Sequence, residues 1–285
     1  MGDAATRLMR DWLARQLDAA RSSWLDEQLA ACRSLADATA FELAWGLIPR
    51  RLGKTALALT EADFIAAGQA LNGWNPRHWN VTDAARVLLL SGSALGALPF
   101  AKRFRSLCQT ADVAELITLY RGLPLYPEAT SLLDQVGEGL RSNMRDVFEA
   151  IVHHNPYPRT HFDEHRWNHM VVKALFVGSP LAPIQGLDQR ANADLARILC
   201  DFAEERRAAA RVVPFEVWRC VGPFATGKAF DLIAAALGSA VPLERHAAAL
   251  GIASSPDARA PHLLQQHSAL HAEIDAKRLT WATLS

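Results

Sequence analysis

An all-α fold is predicted by three features of this chain. Apolar residues recur at helical spacing along most of its 285 residues, Gly, Pro and Asn punctuate those runs, and no stretch alternates polar and apolar side chains between hairpin turns. Short connections favour antiparallel helix pairs, stacked as a HEAT-like α-α superhelical array or gathered into a large helical bundle. No fixed-period repeat separates those two arrangements. A single helical domain over 1–285 is expected, with a scaffold portion (1–140), a motif-rich portion (141–224) and C-terminal helices (225–285).

Roughly ten to twelve helices are expected from the periodic runs. Leu8, Trp12, Leu13, Leu17, Trp24 and Leu25 make a first amphipathic helix from Asp3, with a break near Ser22. Asp37 can cap a second helix carrying Phe41, Ala44, Trp45 and Ile48, ended by Pro49. Thr60 and Asp63 form a capping-box start for a third, closed by Asn72-Gly73. Further helices are predicted at 82–90, 112–120, from Pro127 to about Gly139, and from Ser142 to His153. The two prolines of Asn155-Pro156-Tyr157-Pro158 predict a rigid, extended break. Beyond it, Asp163 can cap a helix to Val177, stopped by Gly178 and Pro180, and Asn192 or Asp194 opens the next, to about Arg211. A short helix from Pro214 ends at Gly222-Pro223, and three more fall at 227–237, 242–250 and 259–277.

Composition excludes several classes of function. With 50% hydrophobic residues a large core can be buried, so wholesale disorder is excluded. Lys plus Arg and Asp plus Glu each total 30, which leaves no net field to draw nucleic acid or an acidic membrane. The four cysteines form no CxxC pair and read as reduced, buried thiols. The longest uncharged run, from Val87 to Ala101, contains Pro99 and is shorter than the roughly 18 apolar residues a membrane span requires. The N-terminal stretch lacks the apolar core of a secretory signal, so a cytoplasmic location is expected, with no integral membrane segment.

Polar chemistry concentrates between His153 and Arg219. His154, Asn155 and Tyr157 are followed by His161, Asp163, His165, Trp167, Asn168, His169 and Lys173. On the helix from Asp163, Trp167, Met170, Ala174 and Val177 should pack, while His165, His169 and Lys173 lie opposite with Asn168 beside them. His165 and His169 have the i, i+4 spacing of a zinc pair but lack the glutamate of a HExxH hydrolase. A solvated histidine face is the favoured reading, and neither a metal nor another cofactor is assigned.

Asp188, Arg190 and Asn192 lie in a loop leading into a helix, where a turn and cap explain them without a ligand. On that helix Asp201 and Glu205 share a face and can serve as acid and base, although ion pairing to Arg206, Arg211 or Arg219 is the commoner use. Trp218-Arg219 can stack on, or hold the carboxylate of, a planar ligand, or anchor the core with a salt bridge. Gly53-Lys54-Thr55 lacks the upstream glycine and strand of a phosphate loop, and in Gly92-Ser93-Ala94-Leu95-Gly96 the serine stands in the wrong place for a nucleophile elbow.

The ordered motifs resemble the EboA family. They are His154-Asn155-Pro156-Tyr157-Pro158, Phe162-Asp163-Glu164, Trp167-Asn168, the run Met170 to Gly178, Gly186-Leu187-Asp188 with Arg190-Ala191-Asn192, Asp201 with Glu205-Arg206, and Trp218-Arg219 with Val221-Gly222-Pro223-Phe224. The half before Arg141 matches only in its helical, leucine-rich character. The resemblance implies a cytoplasmic component of the ebo gene cluster that handles a small metabolite, in the setting of moving pigment precursors towards the periplasm. It carries over no catalytic residue. Glu204 and Arg207 depart from the histidine and tryptophan expected there.

Two readings follow, with a third beside them. A binding protein would use His154, Asn155, Tyr157, Asn168, Lys173, Asp188, Arg190 and Arg219 to line a pocket for a small polar or aromatic metabolite, and this reading is preferred. Asp163, Trp167, Asn192, Asp201, Glu205, Arg206 and Trp218 complete the candidate ligand-binding set. An enzyme would use Asp201 with Glu205, or the histidines with Asp163 around a metal. A non-catalytic scaffold for other ebo-cluster proteins is the third.

Overall fold

The computed structural model describes residues 2–34, 38–93 and 99–284, and among them it contains eighteen α-helices and no strand, with an isolated bridge between Ala56 and Asn80. The chain divides into two compact units, Met1–Phe162 and Asp163–Ser285. No described helix is long and apolar enough to cross a membrane.

The first unit holds α1 (Asp3–Gln16), α2 (Ala19–Ser34), α3 (Ala38–Leu52), α4 (Glu61–Ala70), α5 (Val81–Gly92), α6 (Phe100–Thr110), α7 (Val113–Arg121), α8 (Leu133–Arg141), α9 (Arg145–Val152) and α10 (Tyr157–His161). Capping boxes at Thr60–Asp63, Asn80–Asp83 and Asp112–Glu115 start α4, α5 and α7. The break after α1 falls at Leu17–Asp18 rather than near Ser22, because the Asp18 carboxylate accepts the Arg21 N–H at 2.8 Å and starts a new helix. The stretch after Pro127 begins as a 3-10 turn at Ala129, since Glu128 is left-handed (φ 54°) and delays α8 to Leu133. The cap expected at Asp37 lies outside the described residues.

α5 is the core of this unit. It packs against α1, α2, α3 and α7, and every residue from Val81 to Leu90 is buried. Three of those ten are polar, and a helix without a wet face must satisfy them internally. The Thr82 hydroxyl donates to the Gly53 carbonyl at 2.7 Å. Asp83 accepts from the Thr118 hydroxyl at 2.5 Å, from Arg121 Nη1 at 2.8 Å and from the Asn80 N–H at 3.0 Å.

Arg86 finds its partners through a proline. Pro49 was expected to end α3, yet it sits inside the helix, which continues to Leu52. Proline lacks the N–H that would bond the carbonyl four residues back, and that carbonyl belongs to Trp45. Arg86 takes it up, donating from Nε and Nη2 at 3.3 Å each, so the last turn of α3 survives. Arg86 also lies over the Trp45 ring, and Glu115 Oε1 accepts from both Arg86 Nη2 and Trp45 Nε1 at 2.8 Å.

The second unit holds α11 (Glu164–Val177), α12 (Ala193–Ala208), α13 (Val217–Val221), α14 (Lys228–Ala236), α15 (Pro242–Ala253), α16 (Ala260–Gln266), α17 (Ser268–Asp275) and α18 (Trp281–Leu284). Asp163 caps α11 as predicted, Asn192 rather than Asp194 caps α12, and Gly178 closes α11 in the left-handed conformation (φ 70°). Trp167, Met170 and Ala174 are buried as expected, whereas Val177 is exposed. α15 is the central helix, packed by α13, α14 and α16. A Cβ on Gly222 would stand 2.5 Å from the Gly251 carbonyl oxygen, so this motif glycine lets the chain after α13 meet the α15 backbone.

The buried Arg86 charge predicts the effect of removing its partner. Glu115→Ala should lower unfolding stability by about 3 kcal/mol, measured by urea denaturation, because the guanidinium then stays buried without its carboxylate. A loss below about 0.5 kcal/mol, the range of an ordinary surface substitution, would contradict this role.

Candidate functional site

Within the first unit, the segment from His153 to Pro158 is folded back rather than extended. Pro156 adopts helical angles (φ −74°, ψ −11°) and α10 begins at Tyr157. Prolines are tolerated here because a first helical turn needs few N–H groups, and Asn155 supplies the turn. Its Oδ1 accepts the Tyr157 N–H at 3.0 Å, while Nδ2 donates to the Tyr120 and Ala150 carbonyls at 3.0 and 3.1 Å. The Tyr157 hydroxyl donates to the Ala129 carbonyl at 2.6 Å. Both side chains are buried and engaged by backbone, so they hold the turn that presents His154.

His154 is left-handed (φ 52°), a conformation that costs a side chain other than Gly, Asn or Asp. Its ring lies 4.8 Å from that of His78, a residue the sequence reading did not single out. Burial, then the neighbouring His78, His153 and Arg77, push the His154 pKa down to about 4. Burial, Arg121 and Arg77 also lower His78. Both imidazoles are therefore favoured as neutral groups.

The remaining candidates lie in the second unit, where most are engaged pairwise. Between α11 and α12 the chain runs from Gly178 to Asn192 without a helix. The two asparagines Asn168 and Asn192 exchange hydrogen bonds at 3.1 and 2.9 Å. Asn192 also caps α12 through the Leu195 N–H at 2.8 Å and donates to the Arg190 carbonyl at 3.1 Å. The Arg190 guanidinium stands 4.6 Å from the centre of the Trp167 ring. Asp188 and Arg219 form a two-pronged ion pair at 2.6 and 2.8 Å, which raises the Arg219 pKa. Glu216, also missed in the sequence, is buried and accepts the Leu181 and Ala182 N–H groups at 2.8 Å each. These residues brace the irregular segment against α11, α12 and α13.

Asp163 accepts the Arg166 N–H at 2.7 Å as a helix cap, and burial lowers the pKa of the half-buried Lys173. Trp218 is fully buried with Arg207 over its ring at 5.3 Å, so stacking at this turn involves arginine where the resemblance expects tryptophan. Glu204 pairs with Lys228 at 2.9 Å. His165 and His169 are exposed with ring centres 4.3 Å apart, and among the described residues no group of three or more His, Cys, Asp or Glu side chains converges to hold a metal.

The carboxylates of α12 line different hollows. Asp201 pairs with Arg197 at 3.5 Å on the wall of a groove of about 300 Å³ between α12 and α14. Ala193, Ala196, Cys200, Phe224, Ala229 and Leu232 give that groove an apolar lining, and Arg197, Asp201, Glu204 and Lys228 give it charge. Burial pushes the Cys200 thiol up to about 11 and keeps it protonated. Glu205 and Arg206 instead line a cleft of about 40 Å³ with Phe176 and Phe202.

The lowered His154 pKa carries a prediction for acid stability. The unfolded chain takes up a proton near the ordinary value of 6.5, whereas the folded histidine waits until about 4, so stability falls as pH drops through that window. His154→Asn removes the titration and suits a left-handed backbone. Between about pH 7 and about pH 4.5 its urea midpoint should fall less than that of the unaltered protein, and equal falls would contradict the assignment.

No curated protein and no solved structure matches the chain. A family model described as metabolite traffic protein EboA does match, over residues 5–222. The match reaches well before the motif block that carried the resemblance, so the helices of the first unit are part of it, and residues after 222 lie beyond it. On that match, spanning most of its length, the chain belongs to the EboA family.

Proposed function

We propose that this EboA-family protein handles a small metabolite by holding it in the groove between α12 and α14. The observation that carries this reading is the groove's chemistry: about 300 Å³, floored by Phe224, Leu232, Cys200 and alanines, with paired charges at its edge. Small-molecule sites have this character, an apolar lining for binding with a few polar groups for orientation. Phe224 and Asp201 also belong to the motifs that resemble the family.

The reading favours a ligand with a flat or aliphatic body and a modest polar edge. Arg197 and Lys228 are already paired with Asp201 and Glu204, so neither offers an unmatched charge to a polyanion. Asn168, Asp188, Arg190, Asn192, Trp167, Trp218 and Arg219 act in this account as the frame that fixes the wall. Asp201 and Glu205 line separate hollows, which supports binding over shared acid–base work. A cytoplasmic site of action, with other ebo-cluster proteins as partners and the helix pairs stacked as a HEAT-like array, belongs to the same proposal.

The test is retention of a compound. The full chain, incubated with an extract of cells carrying the cluster, desalted and analysed by mass spectrometry, should keep a discrete small molecule. Saturation at about 100 times Kd would stabilise the protein by roughly 2.7 kcal/mol. Ala229→Trp, which fills the groove from its half-buried wall, should abolish retention while leaving the thermal midpoint of the empty protein unchanged. Retention of the same compound by that variant would overturn the groove assignment.

A further inference from the structure

The first unit contains a hollow of about 190 Å³ beside α5 and α7. Its lining includes Lys54, Arg86 and Arg121, three cations brought from residues far apart in the chain. Lys54 belongs to the Gly53-Lys54-Thr55 tripeptide that is no phosphate loop by sequence. It is exposed and makes no ion pair among the described residues.

Arg86 is the informative member. It is only 4% exposed, and Nε and Nη2 are occupied by the Trp45 carbonyl and Glu115. Nη1 makes no hydrogen bond among the described residues, although the side chain lines the hollow. That nitrogen is not a buried atom lacking a partner, so it meets the solvent of the hollow and stays open as a donor to a guest. Arg121 gives Nη1 to Asp83 and keeps its other nitrogens.

Two carboxylates also line the hollow, and both are engaged. Asp83 is taken by Thr118, Arg121 and the Asn80 N–H, and Asp112 accepts the Glu115 N–H as a helix cap. Asp83 is thus committed to the fold's own network and Asp112 to the cap through Oδ1, while Lys54 and the spare guanidinium nitrogens are left for a guest. Burial works against the Arg86 charge, which a bound anion would offset.

We propose that this hollow binds an oxyanion, a carboxylate or phosphate group on a small molecule, between Arg86 Nη1, Lys54 and Arg121. Planar guanidinium donors suit both groups and Lys54 supplies a mobile charge at the mouth. The site is independent of the α12–α14 groove, and one can fail without the other.

The experiment titrates the full chain with inorganic phosphate and, separately, with succinate, replacing chloride at constant ionic strength. Isothermal calorimetry and the thermal midpoint are the readouts. One of the two ions should stabilise the protein saturably, and which one does identifies the group as phosphate or carboxylate. Lys54→Glu should weaken that ion by about tenfold, the effect of losing one charge-assisted contact. Ala114→Trp should block the mouth, and because Lys54 and Ala114 are exposed, both variants should melt like the unaltered protein without the ion. No saturable response to either ion, or equal affinity in Lys54→Glu, would overturn the proposal.

Discussion

The second unit depends on where α12 begins, and one pair of amides decides it. Asn192 uses both lone pairs of its oxygen, for the Leu195 N–H and for Asn168, and both N–H groups of its nitrogen, for Asn168 and the Arg190 carbonyl. An amide so fully engaged has one orientation. It ties the first turn of α12 to the middle of α11 across a segment that has no helical ladder of its own. Ala193, Ala196 and Cys200, which follow on α12, then stand as a fixed wall opposite α14. Glu216 and the Asp188–Arg219 pair hold the rest of the irregular segment.

The first unit meets the same physical demand by a different route. A helix buried on all sides, α5, carries Thr82, Asp83 and Arg86 into the core, and its neighbours supply what those groups require. The missing N–H of Pro49 becomes useful there, because the carbonyl it leaves without a partner is the acceptor for Arg86. The half-buried His154 follows similar logic. Asn155 and Tyr157 fold the backbone tightly enough to hold a left-handed histidine against His78.

Local chemistry was legible in the sequence and long-range chemistry was not. The caps at Thr60, Asp163 and Asn192, and the stop at Gly178, depend on neighbours within a few residues and could be read directly. Prolines were read too strictly. Pro49 removes one bond near a helix end, and Pro156 stands just before a first turn, so neither forces the chain out of helix. The partnerships of Asn168 with Asn192, Glu216 with Leu181, and Arg86 with Trp45 join residues 24 to 41 positions apart, and no periodic pattern announces them. The motif block therefore located the polar residues of the second unit without showing that most are occupied by one another. Of the residues lining the α12–α14 groove only Asp201 stood in the candidate ligand-binding set, because Phe224, Lys228 and Leu232 arrive from another helix and its approach.

The central claim is that α12 and α14 receive the metabolite between them, and methyl NMR reports on it directly. With alanine methyl groups labelled, addition of the compound retained from a cluster extract should shift the signals of Ala193, Ala196 and Ala229 together, and leave those of the buried α15 alanines Ala247 and Ala248 in place. Shifts that spare the three groove methyls while others move would contradict the account.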